Sequence, residues 1–479
     1  MLACSQMKKT VSLSKTLLVV GFILFSLKGL AADFEWSGVY TVEGNHVKNS
    51  ELDGRGRELN YGLHHLSLRP KIVAGDGITI FGQFELLTNS TYQDSQLGQY
   101  LGDGVGDASP SSADDSNTLS SHQKSSPMLI SQLYLSWVHE YGALVVGRAP
   151  LQFGLGMNYN AGKNLFDHWF DTRDLVGYKI MMGNLSILPM YGKVAEISPN
   201  TNEDVNDYMI QLQYENAETD LDMGIMYRVR KSSDAGSDAP MGADPSLGGA
   251  GATRVPTNYN EISVFALKDT ERFRAGIEAS FLSGKIGAAT AGGDKVTMNG
   301  FGIATEFEFR PDSSKWSYGL KAGTATGDDP ETTSRYEGYV FDRNYQVGLL
   351  LFNRPLGRQD VLRTGLHGGG PSAGAIDKPD VDAVSNTIYV SPSVDYKWAD
   401  KFTINTRLVT GWLNTDPQAV GDVGGDLGYE LDFGLSYMPR KGVMWVNEIG
   451  MLMPGSAFDF NNDEPSFAYG ITSKAAISF

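Results

Sequence analysis

The chain has a single cysteine, Cys4, among 479 residues. A lone thiol so near the start leaves the rest of the chain without disulfides or thiolate metal sites. Positive charge is scarce as well: 39 Lys and Arg face 56 Asp and Glu, for a net charge of −17. An acid excess of that size excludes nucleic acid as a partner, because phosphate backbones are held by clustered cations. Long apolar runs are missing too. The one candidate, Leu17–Leu27, falls short of the ~20 apolar residues that a membrane helix needs. No segment places apolar residues at helical spacing, and no linker divides the chain into several soluble domains. His64, His65, His139 and His168 are present, but no window resembles a nucleophile with its base, so no enzymatic activity is expected. The Gly-rich "GLGMNYNAG" at 154–162 is not followed by Lys-Ser/Thr and so is not a phosphate loop.

What the chain has instead is alternation. In "LGYELDFGLSYMPRKG" (427–442), Leu427, Tyr429, Leu431, Phe433, Leu435 and Tyr437 alternate with Gly428, Glu430, Asp432, Gly434 and Ser436. An extended strand sends these two sets to opposite faces. The pattern recurs where Tyr208, Ile210 and Leu212 oppose Gln211, Gln213 and Glu215, and where Met223, Ile225 and Tyr227 oppose Asp222, Arg228 and Arg230. It recurs again in the runs around Phe273–Phe281, Phe301–Phe309 and Ile404–Trp412. Each run is about ten residues long, the length of a tilted strand that crosses a bilayer.

The connectors alternate in length. Tight ones ("AGDG" at 74, "EYG" at 140, "MGN" at 182, "PDSS" at 311, "ADK" at 399, "PRKG" at 439) take turns with long polar stretches near 88–127, 151–174, 232–257, 326–385, 414–426 and 454–465. Short turns on one side of a membrane and long loops on the other define an outer-membrane barrel. Both ends of the chain fit. "MKKTVSLSKTLLVVGFILFSLKGLAA" from Met7 has the charged, apolar and small-residue regions of a signal peptide. It is expected to end at Ala31 or Ala32, with residues 1–6 an upstream extension and 32–479 the barrel. The last strand, "SFAYGITSKAAISF", ends in Phe479, the aromatic terminus that barrel-assembly machinery recognises.

Strand-like segments add up to an odd number, whereas termini on one side require an even one. The misfit localises to "NYQVGLLLFNRP" (344–355), whose apolar residues are continuous rather than alternating. That segment is expected to belong to a long loop, 326–385, folded into the lumen. The expectation is an all-β transmembrane antiparallel barrel of about 18 strands, within about 16–20. Pore-lining residues are expected at Asp222, Arg228, Arg230, Arg272, Arg274, Glu278, Glu306, Glu308, Arg310, Lys321, Arg407, Glu430 and Asp432. "FDHWFDTRD" (166–174) adds Asp167, Asp171, Arg173 and Asp174 as constriction residues, joined by Arg354 and Arg358 from the long loop. Without regular ligand spacing, no metal and no cofactor is expected there.

Several stretches carry a resemblance. "GYELDFGLSYMPRKGVMWVNEIGMLMPGSAFD" (428–459), "FDRNYQVGLLLFNRPLG" (341–357), "VVGRAPLQFGLG" and "DTRDLVGYK" resemble the alginate-export family of outer-membrane barrels. The resemblance implies an eighteen-stranded transport barrel in the outer membrane of a Gram-negative bacterium. A polyanion conduit should have a basic lumen, whereas the inward residues here balance acid against base. A passive channel for small polar or charged solutes is therefore expected, with an alginate-like polysaccharide conduit or a loop-displaying adhesion barrel as alternatives. The other expected partners are outer-membrane lipid and lipopolysaccharide, the latter bridged through the acidic loop at 103–115.

Overall fold

A computed structural model describes residues 33–88, 97, 99–100, 128–195, 204–232, 253–289, 293–364, 382–417, 424–459 and 464–479. The expected signal peptide and most of the stretches at 88–127 and 232–257 lie outside them. Eighteen long strands form the wall. They are β1 (Asp33–Lys48), β2 (Glu58–Gly75), β3 (Ile78–Leu86), β4 (Leu129–His139), β5 (Gly142–Pro150) and β6 (Thr172–Met182). Next come β7 (Leu185–Ala195), β8 (Val205–Asn216), β9 (Leu221–Ser232), β10 (Asn258–Asp269), β11 (Phe273–Ala289) and β12 (Phe301–Phe309). The last six are β13 (Trp316–Ala325), β14 (Thr387–Ala399), β15 (Phe402–Leu413), β16 (Asp426–Arg440), β17 (Val443–Pro454) and β18 (Ala468–Ser478).

Each strand pairs antiparallel with the next, for example β1 with β2 and β17 with β18. β18 returns to β1 over Val39↔Ser478 to Lys48↔Tyr469, and that pairing closes the barrel. Closure leaves no row of unpaired backbone groups, the condition a sheet must meet in hydrocarbon. Turns at 76–77, 140–141, 183–184, 400–401 and 441–442 lie at one end, with all the long connections at the other. The first and last strands meet at the turn end, where Gly38 and Phe479 exchange backbone hydrogen bonds of 2.9 and 3.0 Å.

The apolar face of the alternation points outward. Ile210, Ile225, Ile277, Phe307, Leu408, Phe433 and Ile471 are all large and exposed. Trp36, Trp137, Trp316, Trp398 and Trp445 ring the turn end of this belt, and Tyr191, Tyr208, Tyr227, Trp412 and Tyr429 ring the loop end. Two aromatic girdles around an apolar band are what the two membrane interfaces favour. Leu427 departs from the expectation. It is fully buried with Phe352 and Leu452 on the lumen side. Gly428 has φ +82°, and the β15–β16 register slips between Thr410 and Trp412, so a bulge turns Leu427 from the outer face to the inner one.

The segment at 344–355 is not a wall strand. Val347, Leu350, Leu351 and Phe352 join Tyr339, Phe341 and Tyr345 in one apolar cluster with the lumen-facing wall residues Ala325, Tyr389, Val409, Leu452 and Ala468.

The two faces predict different sensitivities. Leu431→Arg, on the lipid side, should lower folding stability in lipid vesicles by ~2–4 kcal/mol. Gln211→Arg, on the lumen side, should change it by about 0.5 kcal/mol at most. Urea titration of the two variants checks this, and equal losses would contradict the assignment of faces.

Candidate functional site

Among the described residues, two loops enter the lumen from the loop end and pack against the inner wall. The first, 151–171, crosses β9 to β11. Phe153 packs edge-on to Phe265 with ring centroids 4.9 Å apart, and Asn158 Nδ2 donates to Ser263 Oγ at 2.8 Å. Its far end reaches β1, where His168 Nε2 lies 2.7 Å from Glu43 Oε1. The second lies between β13 and β14 and is described over 326–364 and 382–386. Lys321 Nζ donates to the Gln346 carbonyl at 3.2 Å, and Arg407 Nη1 to the Val347 carbonyl at 3.0 Å. It too arrives at β1 and β2, where Arg354 Nη2 donates to Asn45 Oδ1 at 2.8 Å and Nη1 bonds Tyr61. Together the loops line the barrel interior as a ring.

One device anchors both loops. Glu278, fully buried on β11, accepts the backbone N–H groups of Leu155, Met157 and Asn158 at 2.7, 3.2 and 3.1 Å. Glu430, fully buried on β16, accepts those of Leu349, Leu350 and Leu351 at 2.9, 2.7 and 2.6 Å. Asp432 Oδ2 takes a further bond from Leu349 at 3.2 Å. Converging backbone N–H groups make an anion-binding concavity, and bonds to an ionised acceptor are stronger than neutral ones. A glycine allows the approach at each anchor. A Cβ at Gly154 or at Gly348 would sit 2.8 Å from an oxygen of its carboxylate. Glu278, Glu430 and Asp432 thus face inward as the alternation requires, but their oxygens hold protein backbone.

Other expected lumen residues lie in ion pairs. Arg228 Nη2 is 2.6 Å from Glu261 Oε2, and Arg230 Nε is 2.8 Å from Asp207 Oδ1. Arg173 Nε reaches Asp207 at 3.4 Å, so three guanidinium groups share two carboxylates. Arg228 also lies over the rings of Tyr159 and Tyr259, 5.7 and 5.3 Å from their centroids. Two strands further along the wall Glu306 takes Arg274 on one oxygen and Lys321 at 3.1 Å on the other. Arg407 approaches Asp432 at 3.9 Å, and Asp222 accepts the Gln213 amide at 3.0 Å. Glu308 holds Arg310 at 2.9 Å just before the turn end.

Some expected positions fall elsewhere. Arg272 lies in the turn at 270–272, exposed and bonded to Asp312. Asp174 shares the outer face with Val176 and meets Arg148 at 2.7 Å, while Arg173 beside it turns inward. Strict alternation forces adjacent residues apart, so the two cannot both line a constriction. Asp167 caps its own loop by accepting the Asn164 N–H at 2.8 Å, and Arg358 reaches Asp53 at 3.2 Å near the loop end. Asp171 lies inside the ring, where it accepts the Asn160 N–H at 2.9 Å. The partners Asp207, Glu261 and Glu43 went unread, although inward alternation with Met209, Ser263 and Thr41 marks them. His65 and Ser131 converge on Glu85, at 2.8 and 2.7 Å, so the carboxylate takes the serine hydroxyl and the histidine does not. The described residues contain no acid–histidine group suited to a metal.

No family model matches the sequence, and no characterised protein sequence aligns with it. Solved structures do share the fold. Acinetobacter baumannii OccAB3 is 12% identical with a TM-score of 0.52, over 93% of this chain and 99% of that one. Pseudomonas aeruginosa OccK9 (OpdG) is 11% identical with a TM-score of 0.51, over 93% of this chain and 98% of that one. The outer membrane protein OpdK of the same organism is 9% identical at 0.48, over 93% and 99%. The first two span almost the whole length of both chains and support a closed barrel of 18 strands.

The anchors predict a separable effect. Glu430→Ala leaves the Leu350 and Leu351 N–H groups without their acceptor, at about 1–3 kcal/mol each, while Leu349 keeps Asp432. The loop should leave the wall while the barrel stays closed. Limited proteolysis should then cut within 341–364 and spare the strands. A fragment pattern identical to the parent's would contradict the anchoring role.

Proposed function

We propose that the chain is a passive outer-membrane channel for small polar or charged solutes, whose aperture is set by the two infolded loops. The observation that carries this reading is the interior: an apolar outer belt encloses ion pairs and two loops anchored to the inner wall. The fold shared with OccAB3 and OccK9 supports it. Solutes would pass along walls where charges of both signs face each other. The field across such a path favours dipolar and charged molecules over apolar ones. In this reading Asp222, Arg274, Glu306, Glu308, Arg310, Lys321 and Arg407 border the path on the turn side of the ring. Arg173, Arg228 and Arg230 stand beside it with one guanidinium in excess.

Lumen-facing cations with carboxylate partners do not suit a polyanion, which would have to break several ion pairs as it advanced. A polysaccharide conduit of the alginate-export kind is thus the weaker reading, although the stretches at 341–357 and 428–459 resemble that family. Lipid would contact the apolar belt, and Phe479 at the closing seam would serve as the assembly signal.

Deleting 341–385 tests the channel reading. No wall strand is lost, so the variant should fold and keep the heat-modifiable gel migration of a barrel. Its single-channel conductance in a planar bilayer should rise severalfold, and its ion preference should weaken. A folded deletion with the parent's conductance would place the loop outside the conducting path and overturn the proposal.

A further inference from the structure

On the outer face one row of residues departs from the apolar belt. Lys193, Asn206, Lys231, Asn258 and Lys285 are successive register partners across β7, β8, β9, β10 and β11. Lysine and asparagine thus alternate strand by strand. On the same strands and the same face stand Tyr191, Tyr208, Tyr227, Ile262 and Phe281, all exposed. The row lies on the loop side of each of these, where hydrocarbon gives way to head groups. Neighbouring strands are ~4.8 Å apart, so successive lysines of the row are about 10 Å apart. Lys193 has a carboxylate partner, Asp204, at 3.0 Å. Lys231 and Lys285 are exposed and have none among the described residues. Asn206 accepts the Tyr191 hydroxyl at 2.7 Å, which leaves its amide N–H groups for another partner.

The row occupies one arc of the barrel. At the loop end of β14 to β17 the outward residues are Ile388, Trp412, Tyr429 and Met453. On β1 the outward cation at that end, Lys48, is bonded to Glu58. Anchoring at the interface by snorkelling side chains would call for cations all round the barrel. A single arc of uncompensated cations marks a place for one kind of anion. Charges of one sign along one face repel each other, and a bound anion relieves that repulsion.

We propose that this lysine–asparagine ladder binds a phosphorylated glycolipid of the outer leaflet, of the lipid A class. Lys231 and Lys285 take its phosphates, and the Asn206 and Asn258 carboxamides take sugar hydroxyls. Its acyl chains lie on the apolar face below, over Ile210, Ile225 and Ile262. A disaccharide with a phosphate at each end matches cations that recur with an amide between them. A glycerophospholipid brings one phosphate and no sugar. Ammonium groups bond phosphate directly, so the site needs no divalent ion. The acidic stretch at 103–115, outside the described residues, reaches a phosphate only through such an ion. The ladder is also independent of the solute path, because it faces away from the lumen.

The test is binding of purified lipid A to the full chain in detergent micelles, with EDTA present, read by native mass spectrometry. The parent is compared with Lys231→Gln, Lys285→Gln, the double variant and Lys48→Gln, each shown to be a folded barrel by its heat-modifiable migration. A cation at a membrane surface contributes ~1 kcal/mol, so each ladder variant should bind about fivefold more weakly and the double variant about 25-fold. Lys48→Gln should bind as the parent does. A parent that binds no lipid A, or a double variant that binds it as tightly as the parent, would overturn the site. An equal loss in Lys48→Gln would overturn it too, since any cation at the loop end would then suffice. Two further probes identify the head group. Dephosphorylated lipid A should bind the parent about 25-fold more weakly than lipid A, and phosphatidylglycerol about fivefold. Either probe binding as tightly as lipid A would overturn the proposal, the first by removing phosphate from recognition and the second by making the arc a surface for any anionic lipid.

Discussion

A wall carboxylate closed over by three backbone N–H groups is the interaction on which the interior depends. A barrel of this size leaves a wide lumen, and a loop entering it must satisfy its own backbone far from any strand partner. Glu278 and Glu430 each solve that problem for one loop at one point. The apolar contacts of Leu350, Phe352 and Phe153 then follow from where the backbone is held. Without the carboxylates those side chains would still prefer burial, but nothing would fix the level at which each loop crosses.

The wall obeys a different constraint. Hydrocarbon offers no hydrogen bonds, so the sheet must close, and β18 pairs with β1 over the full length of the seam. Outward side chains need only be apolar, with aromatic residues at the two interfaces. Inward side chains carry the specific chemistry, which explains why the lumen charges are paired so closely across neighbouring strands. Arg228 meets Glu261 across β9 and β10, and Arg274 meets Glu306 across β11 and β12. Such pairs neutralise the wall locally and leave a polar surface without a strong field of one sign.

Much of this was legible in the sequence because alternation is local. Residues two apart share a face, so Phe307 outward and Glu306 inward follow from the strand alone. Parity was legible too, and it removed 344–355 from the wall. The sequence misleads where a face depends on something outside the strand. Leu427 turns inward because of a bulge at Gly428, and the bulge answers to the loop residue Phe352 packed beneath it. Asp174 was grouped with Arg173 because both are charged, although adjacent strand residues must diverge. The anchors were half read. Glu278, Glu430 and Asp432 were recognised as inward, but their partners lie about 80 to 120 residues away in sequence and no local pattern announces them. Gly154 and Gly348, each inside an otherwise apolar loop stretch, are the only local trace of the close approach.

Glu278 and Glu430 are the two wall points that each gather three backbone N–H groups of a loop, beside single bonds such as His168 to Glu43 and Arg407 to Val347. The most direct test removes both wall points together. Glu278→Ala with Glu430→Ala keeps every strand and every residue of both loops, so only the anchors change. Single-channel conductance of this double variant should rise severalfold over the parent's, with broadened open-channel noise as the released loops fluctuate. A double variant that folds as a barrel and conducts as the parent does would contradict the account, because the ring would then be held by something other than its two carboxylates.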